Sequence, residues 1–282
     1  MSAPRRWRLL NSGYQTGAFN MALDQAILES VAAGMVPPTF RLYRWQPATV
    51  TLGYGQNAEH SVNLEACREF NYDVVRRCTG GRAVLHDHEV TYALIASESG
   101  GDFGCSTLEN YRLIAEALQE AFSYFGFFPT LQSGRDRGRA GELSGQSVCF
   151  AVPAQYELVL NGCKMVGSAQ RRWQGTFLQH GSIPLELDLA KLSRVLRPGA
   201  AADSVTINDR LAQRVGWINR WLAEPTTVDR VETVLQQAIA TKFNVQWHVD
   251  EPSPDELRRA TELQASHYSE LNWKGKPALF AQ

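Results

Sequence analysis

Two spacings of apolar residues recur along the chain, and the first is the alternation typical of half-buried strands. In Glu89–Ala96 the side chains of Val90, Tyr92 and Leu94 fall on one face of an extended chain. Turn-forming residues bound several similar runs. They predict further strands over Trp7–Asn11, Thr39–Trp45, Thr49–Tyr54, Asp73–Arg77, Tyr156–Leu160, Lys164–Ser168 and Asn244–Val249.

The second spacing, three and four residues apart, predicts helices. Ala18–Val31 is one example, and another helix opens at Ser106, where Glu109 completes a capping box, and stops at Gly126. Further helices are predicted over Asn63–Phe70, Asp188–Leu196, Asp209–Leu222 and Val228–Phe243, and from Ser253 onward. Strands interleave with helices, and Asn161-Gly162 between apolar runs predicts a hairpin. The predicted fold class is therefore α+β, with a mixed, largely antiparallel β-sheet flanked by helices.

Composition and charge narrow the class of protein. The chain has 282 residues, 44% of them hydrophobic, and a net charge of -1, which builds in no attraction to nucleic acid or membrane. We see no apolar run that fits a signal peptide or a bilayer span, so we expect a cytoplasmic protein. No Pro/Gly-rich linker divides the chain, and we expect a single domain over residues 1–282. The five cysteines are odd in number and lack a CxxC pair, which predicts neither a disulfide framework nor structural zinc.

The segment from Arg76 to Asp87 is the first dense cluster of candidate chemistry. Its adjacent Gly80 and Gly81 permit close approach of backbone to a ligand, although a tight turn alone would also need them. It matches neither a P-loop nor a dinucleotide-binding fingerprint. His86 and His88 lie beside carboxylates, but their spacing identifies no third ligand, and we predict no metal site.

The second cluster surrounds Lys164, which is predicted to follow the hairpin turn. Gly167, Ser168 and Ala169 come directly after it and remove side-chain bulk, as a ligand channel would require. The pair His180-Gly181 repeats this arrangement of a polar group beside bare backbone. Lys164 is therefore a candidate electrophile or charge partner, and the alternative is an exposed lysine on an edge strand.

The five cysteines fall in different predicted elements, and this bears on which thiol could act as a nucleophile. Cys67 and Cys105 fall within and just before predicted helices, and Cys163 points to the face opposite its lysine neighbour. Cys78 lies in the Gly-Gly turn and Cys149 in a polar loop, so both could reach one pocket. The residues alone leave the choice between Cys78 and Cys149 open.

Together these clusters resemble the biotin/lipoate protein ligase superfamily, most closely its LipM-type octanoyltransferases. The order and spacing of the matching segments hold across about two-thirds of the chain. The segments are NMALDQAIL (20–28), FRLYRWQPATVTLGYGQ (40–56), RRCTGGRAVLHDHEVTYALI (76–95), SVCF (147–150), NGCKMVGSAQRR (161–172) and GTFLQHGSIPL (175–185). The resemblance implies a catalytic core of biotin/lipoate-ligase type over about residues 33–248 and a helical C-terminal extension over about 249–282.

The resemblance also assigns roles. It implies that Cys149 accepts the acyl group and that Lys164 is the site lysine, with Cys78 at a variable position. Two roles are open for His86, a base or a structural hydrogen bond. Ala93 departs from the serine expected there. The expected acyl-binding residues are Arg76, Gly80, Gly81, His86, Gly167, Ser168, Ala169, His180 and Gly181.

The implied reaction moves octanoyl from acyl carrier protein to a lysine of a lipoyl domain, such as the glycine-cleavage H protein. It passes through a thioester on Cys149 and needs no cofactor. The alternatives are an ATP-dependent lipoate–protein ligase, which would need Mg-ATP, an amidotransferase between lipoyl domains, and a non-catalytic lipoate-binding module. Basic residues could dock an acidic carrier protein, or could be solvated loop and strand-end positions. They are Arg135, Arg137, Arg139, Arg171 and Arg172.

Overall fold

A mixed β-sheet forms the centre of the protein in the computed structural model, which describes residues 3–99, 101–132, 156–197 and 204–269. Cys149 and three of the predicted docking arginines, at positions 135, 137 and 139, lie outside the described residues. No helix in these ranges is long and apolar enough to cross a bilayer.

The strands of the described chain are numbered in sequence order. They are β1 (Arg5–Gln15), β2 (Thr39–Trp45), β3 (Thr49–Leu52), β4 (Asp73–Arg76), β5 (Val84–His86), β6 (Glu89–Ser97), β7 (Thr130–Leu131), β8 (Leu158–Leu160), β9 (Cys163–Lys164), β10 (Gly167–Trp173), β11 (Thr176–Pro184) and β12 (Val245–Asp250).

The helices of the same ranges are numbered likewise. They are α1 (Gly17–Ala32), α2 (Ala58–Ser61), α3 (Leu64–Glu69), α4 (Thr107–Ser123), α5 (Leu189–Val195), α6 (Ser204–Ala212), α7 (Val228–Phe243) and α8 (Pro254–Leu263). A short 3-10 helix covers Ile218–Arg220, and a π-helical turn, Gln264–Tyr268, continues α8.

Three sheets arise from these strands. The main sheet has the order β10-β11-β6-β2-β1-β12, in which the pairings from β10 to β2 are antiparallel and those of β1 with β2 and β12 are parallel. The second sheet has the order β4-β3-β5 and the third β7-β8-β9. This mixed arrangement with flanking helices confirms the predicted α+β class.

Each face of the main sheet carries its own apolar core. One core joins the sheet to α4 and α7, with Phe40, Leu94 and Phe177 at its centre. The other joins the opposite face to α1 and α8 through residues such as Ile27 and Ile95. Side chains alternate between faces along a strand, so neighbouring residues of β6 and β11 enter different cores. Both faces are therefore covered, as the interleaved strands and helices predicted.

Local signals in the sequence placed several elements well. Ser106 caps α4 by accepting from the backbone of Glu109. Asn161 and Gly162 both have positive φ, 51° and 79°, and join β8 to β9 as an antiparallel hairpin. The predicted helix over Val228–Phe243 is α7. These elements are confirmed because turn and cap chemistry acts over a few residues.

The predicted strand Lys164–Ser168 is wrong as a single element. The Lys164 N–H donates to Arg214 O at 2.8 Å, and its carbonyl accepts from Gly216 N at 2.8 Å. These bonds end β9 in the third sheet, and the chain crosses to the main sheet before β10 begins at Gly167. A distant segment therefore interrupts the strand.

The predicted helix Asp209–Leu222 is also wrong in its extent, because α6 ends at Ala212. The chain then packs closely against the main core, where a Cβ on Gly216 would lie 2.5 Å from Met165 Sδ. A side chain at position 216 would require Met165 or Trp221 to shift, and a turn takes the place of the second half of the expected helix.

The described part of the C-terminal extension is tied to the first strand and the first helix. Ser253 and Glu256 form a capping box at the start of α8. Glu256 also accepts two hydrogen bonds from the Arg8 guanidinium, at 2.9 and 2.6 Å, and both side chains are buried. Further along, the Tyr268 hydroxyl donates to Gln25 Oε1 at 2.6 Å. The extension thus completes the core beneath α1.

Candidate active site

A crevice lies between the main sheet and the second sheet, at the side of α1. Met21 of α1 and the aromatic rings of Tyr43 and Trp45 on β2 form apolar walls. The predicted acyl-binding residues that line this crevice are His86, Gly167, Ser168, Ala169, His180 and Gly181. The structure therefore brings together residues that are far apart in sequence.

The Gly80-Gly81 turn sits against the loop that follows β3. Gly81 has φ of +94°, which favours glycine, and a Cβ on Gly53 would lie 2.0 Å from the Gly81 carbonyl oxygen. Backbone therefore packs directly on backbone here. The glycines fix the shape of this part of the second sheet, and the cavity lining itself comes from neighbouring residues.

Of the two adjacent arginines, Arg77 lines the crevice and Arg76 does not. The Arg76 guanidinium donates to the carbonyls of Gly53, Tyr54 and Gln56 at 2.9, 3.1 and 2.7 Å. These bonds hold the loop that follows β3, and the acyl-binding role of Arg76 stays a prediction.

Arg77 instead holds the turn and the strand that face the crevice. Its guanidinium donates to the carbonyls of Gly80 and Arg82 at 2.8 and 2.7 Å, and to Thr51 Oγ1 at 3.0 Å. The side chain is 5% exposed, so a buried cation is satisfied here largely by backbone oxygens.

His180 on β11 is held between a carboxylate and a hydroxyl. Its Nδ1 lies 3.0 Å from Asp24 Oδ2, and its Nε2 lies 2.7 Å from Thr79 Oγ1. Asp24 comes from α1 and also accepts from Arg41 at 2.7 Å and from the Tyr43 hydroxyl at 2.8 Å. The carboxylate accepts only, so His180 carries its proton on Nδ1.

The pKa values of this pair follow from burial and charge. Burial lowers the pKa of His180 below its ordinary value, and this outweighs the opposite effect of Asp24. Burial would raise the pKa of Asp24, but Arg41 and the hydrogen bonds from His180 and Tyr43 bring it below its ordinary value. At neutral pH the crevice therefore meets a neutral imidazole backed by a carboxylate.

His86 on β5 repeats the arrangement. Its Nδ1 lies 2.8 Å from Glu89 Oε1, and its Nε2 lies 2.9 Å from Thr51 Oγ1. Thr51 already accepts from Arg77, so its hydroxyl proton is available to His86 Nε2. Trp45 stacks on the ring at a centroid distance of 4.3 Å. Both nitrogens of His86 are thus engaged by the protein.

The carboxylate of Glu89 accepts hydrogen bonds from residues on two strands of the main sheet. Thr91 and Ser182 both hydrogen-bond to it, and the Trp45 indole donates to Thr91 Oγ1 at 2.7 Å. His88 points elsewhere, since its side chain is 72% exposed. Within the described ranges, no group of three or more His, Cys, Asp or Glu side chains could hold a metal ion.

Lys164 lies at the end of the third sheet, three residues before the crevice-lining Gly167. Its ammonium pairs with the Glu157 carboxylate, and the two side chains are 3% and 4% exposed. A buried lysine beside the start of β10 replaces the alternative of an exposed edge-strand lysine.

Similarity to known proteins agrees with this architecture. The lipoyl protein ligase A/B catalytic domain family matches residues 16–240. The chain belongs to this family. An octanoyltransferase LipM of Lysinibacillus sphaericus is 37% identical over 96% of this chain and 99% of its own length. Another, from Kyrpidia tusciae, is 39% identical over 94% of this chain and 97% of its own.

A solved structure shares the fold. It is a bi-partite lipoate protein ligase from Thermoplasma acidophilum, described together with its E2 lipoyl domain. It has a TM-score of 0.78 and 23% identity, and the match covers 95% of this chain and 96% of that one. At this identity the similarity concerns the fold alone.

The four described cysteines of this chain differ in their burial. Burial raises the pKa of Cys78 to about 12 and that of Cys67 to about 11. Cys163 is also buried and lies 3.8 Å from the Ala212 carbonyl, whereas Cys105 is exposed. Cys78 is the alternative to Cys149 as the nucleophile. It is a weak nucleophile, because burial disfavours its thiolate form.

Two of the predicted docking arginines lie within the described part of the chain. Arg172 forms a two-bond ion pair with Glu98 and donates to Cys105 O at 2.6 Å. Arg171 donates to the Cys78 carbonyl at 2.9 Å. Both guanidinium groups therefore hold neighbouring segments, and their docking of a carrier protein stays a prediction.

Sequence reasoning missed the residues that orient the two histidines. Asp24, Thr51 and Thr79 all fall within segments that resemble the family, but nothing in those segments marks them as partners of a histidine. Glu89 is one of the carboxylates beside His86 and His88 in the sequence, and this position alone does not identify it as the partner of His86. The usable signal was that a buried histidine needs partners for both ring nitrogens.

Proposed function

We propose that this chain is an octanoyltransferase of lipoate biosynthesis, which moves octanoyl from acyl carrier protein to a lysine of a lipoyl domain such as the glycine-cleavage H protein. The observation that carries the proposal is similarity over nearly the whole chain to two proteins named octanoyltransferase, at 37% and 39% identity. The crevice of small and apolar residues supports an acyl chain as the ligand.

The walls of the crevice suit a saturated chain. Gly167 and Ala169 leave room on one side, and Met21, Tyr43 and Trp45 present apolar surface on the other. Each buried methylene group contributes roughly 0.8 kcal/mol, so an eight-carbon chain gains substantial affinity without any polar contact.

Cys149 is the proposed acyl carrier, in agreement with the family resemblance. Cys149 lies outside the described residues, so this role rests on the family resemblance. Among the described thiols, burial disfavours the thiolate of the alternative, Cys78.

Lys164 is the proposed electrostatic partner. A cation near the thiol favours the thiolate, and a donor to the thioester carbonyl stabilises the charge that develops on its oxygen. Removing one such donor typically costs about 3 kcal/mol of barrier, which is roughly a hundredfold in rate. The remaining acyl-binding residues position the chain.

No cofactor is part of the proposed reaction. Thiolate attack on an octanoyl thioester exchanges like bonds, and aminolysis of the new thioester by the acceptor lysine gives a more stable amide. Covalent catalysis also lets two protein substrates visit in turn. A reactive free thiol needs a reducing compartment, so the proposed location is the cytoplasm.

To test this, the protein is incubated with octanoyl-acyl carrier protein, without ATP. The intact mass of the protein and the masses of its peptides are then measured. A hydroxylamine-labile octanoyl group on the Cys149 peptide, transferable to an apo lipoyl domain, is expected. It should vanish in Cys149→Ala and persist in the matched variant Cys105→Ala, whose parent thiol is exposed.

Two other outcomes would replace the proposal. Activity that appears only with free octanoate and Mg-ATP would identify a lipoate–protein ligase. Acylation by octanoylated H protein, but not by octanoyl-acyl carrier protein, would identify an amidotransferase between lipoyl domains.

A further inference from the structure

The contact between Glu157 and Lys164 is fixed by the hairpin that carries both. Val159 of β8 pairs with Lys164 of β9, and Glu157 stands two residues before Val159. Residues two apart share a strand face, so the Glu157 and Lys164 side chains are diagonal neighbours on one side of the hairpin. The ammonium contacts Glu157 Oε1, and both side chains are at least nine-tenths buried.

A lysine beside an acyl thioester carries a chemical risk. As a free amine, its nitrogen can attack the carbonyl carbon, forming a C–N bond while the C–S bond breaks and the amine proton passes to the sulfur. The product amide is more stable than the thioester and would leave the lysine permanently acylated. An ammonium has no lone pair and cannot take this path.

We propose that Glu157 protects Lys164 from acylation by holding its Nζ in the buried ion pair. A carboxylate in contact with a buried lysine favours the charged state of that lysine. Glu157 is then a positioning residue, which keeps Lys164 a hydrogen-bond donor and cation. The inference rests on the proposed function, in which an octanoyl thioester is brought to Lys164.

The surrounding backbone keeps this contact in place. The Lys164 N–H and carbonyl are both engaged, by Arg214 O and Gly216 N at 2.8 Å each, and the Gln132 N–H donates to the Glu157 carbonyl at 2.9 Å. Burial also excludes the water that weakens surface ion pairs. By contrast, the side chains of the Lys242–Glu116 pair, at 2.7 Å, are 33% and 26% exposed.

The test is the covalent state of Lys164 after exposure to octanoyl-acyl carrier protein. Wild type, Glu157→Gln and Glu157→Asp are incubated with the donor, treated with hydroxylamine to remove thioesters, and digested. Glu116→Gln is the matched control, because it makes the same substitution at another lysine–carboxylate contact. Octanoyl amide on the Lys164 peptide is then measured by mass.

We expect the hydroxylamine-resistant adduct on Lys164 to rise about tenfold or more in Glu157→Gln over wild type. Glu157→Asp should remain close to wild type, because it keeps the charge, and Glu116→Gln should match wild type. The readout is a chemical mark on Lys164, which mere loss of stability would not produce.

Failure of this inference differs from failure of the proposed function. If wild type and Glu157→Gln both form a hydroxylamine-labile adduct but Lys164 stays unmodified, the protective role is wrong and the transferase stands. If wild type forms no labile adduct, the proposed function itself fails. Should Glu157→Gln not fold, Glu157→Met takes its place, because it also removes the charge of the carboxylate. An amide on Lys164 above wild type then supports the role, and none overturns it.

Discussion

Replacing Asp24 with asparagine tests how far the site depends on one buried carboxylate. Asp24 is fully buried and accepts from Arg41, Tyr43 and His180 at 2.7, 2.8 and 3.0 Å. The substitution keeps the shape of the side chain but removes its charge. It leaves the buried Arg41 guanidinium without that counterion, and one amide N–H₂ faces groups that donate.

The expected loss in the free energy of unfolding follows from the burial of both ions, Asp24 and Arg41. Breaking a buried ion pair by neutralising one partner typically costs about 3–5 kcal/mol, because the other charge is left uncompensated. For a chain of this size that corresponds to a fall in Tm of roughly 10 °C. The matched control is Asp229→Asn, since Asp229 pairs with Arg44 at 2.5 Å but is 84% exposed. A surface pair of this kind is worth about 0–1 kcal/mol.

Urea denaturation of wild type and both variants at pH 7 gives the comparison. Because the pKa of Asp24 lies below its ordinary value in the folded state, its contribution is complete above the unfolded-state value of 3.8 and is lost as pH falls through the folded value. The difference in the free energy of unfolding between wild type and Asp24→Asn should therefore persist down to about pH 4 and narrow only below it. A loss for Asp24→Asn no larger than that for Asp229→Asn would refute the reasoning.

Three further changes test other parts of the structure. Burial lowers the pKa of His180 from 6.5, so wild type should lose stability as pH falls from 7 to 5, and His180→Gln should flatten that slope in denaturation. Gly53→Ala places a Cβ 2.0 Å from a carbonyl oxygen, whereas the Cβ of the control Gly55→Ala meets nothing within 4 Å. Only Gly53→Ala should lower the free energy of unfolding, by about 2 kcal/mol or more. Glu256→Gln should cost about 3–5 kcal/mol in urea unfolding, because it leaves the Arg8 guanidinium buried without its carboxylate.

Elements that depend on neighbouring residues could be predicted from the sequence. The capping boxes at Ser106 and Ser253 and the hairpin turn at Asn161-Gly162 use bonds that span three or four residues. The interleaving of such elements was enough for the α+β class.

Elements that depend on distant contacts could not be predicted. The apolar run after Lys164 looks continuous, but Arg214 and Gly216 take both backbone groups of that residue and end the strand. The partner segment lies about fifty residues further on, and nothing in the run itself reveals it. Sheet membership of β2 and β3, adjacent in sequence but placed in different sheets, has the same origin.

The site shows the same division between local and distant signals. Glycines and histidines marked the crevice, since bare backbone and titratable rings stand out in a sequence. The choice between Arg76 and Arg77 depended on strand phase, because consecutive side chains point to opposite faces. Asp24 is 156 residues from His180, a separation at which only the fold reveals a partner.

The hydrogen bonds of the two histidines bear on how the crevice treats its ligand. His180 uses its ring nitrogens on Asp24 and Thr79, and His86 uses its own on Glu89 and Thr51. Each threonine hydroxyl can donate to Nε2 or accept from it, so this nitrogen stays bonded to the protein whether or not it carries a proton. The polar atoms are therefore turned toward the protein, and the crevice is left with ring faces and small side chains, which suit a saturated chain. Of the two roles predicted for His86, these bonds support the structural one, and in the proposed mechanism the charged steps fall to Lys164 and the thiol.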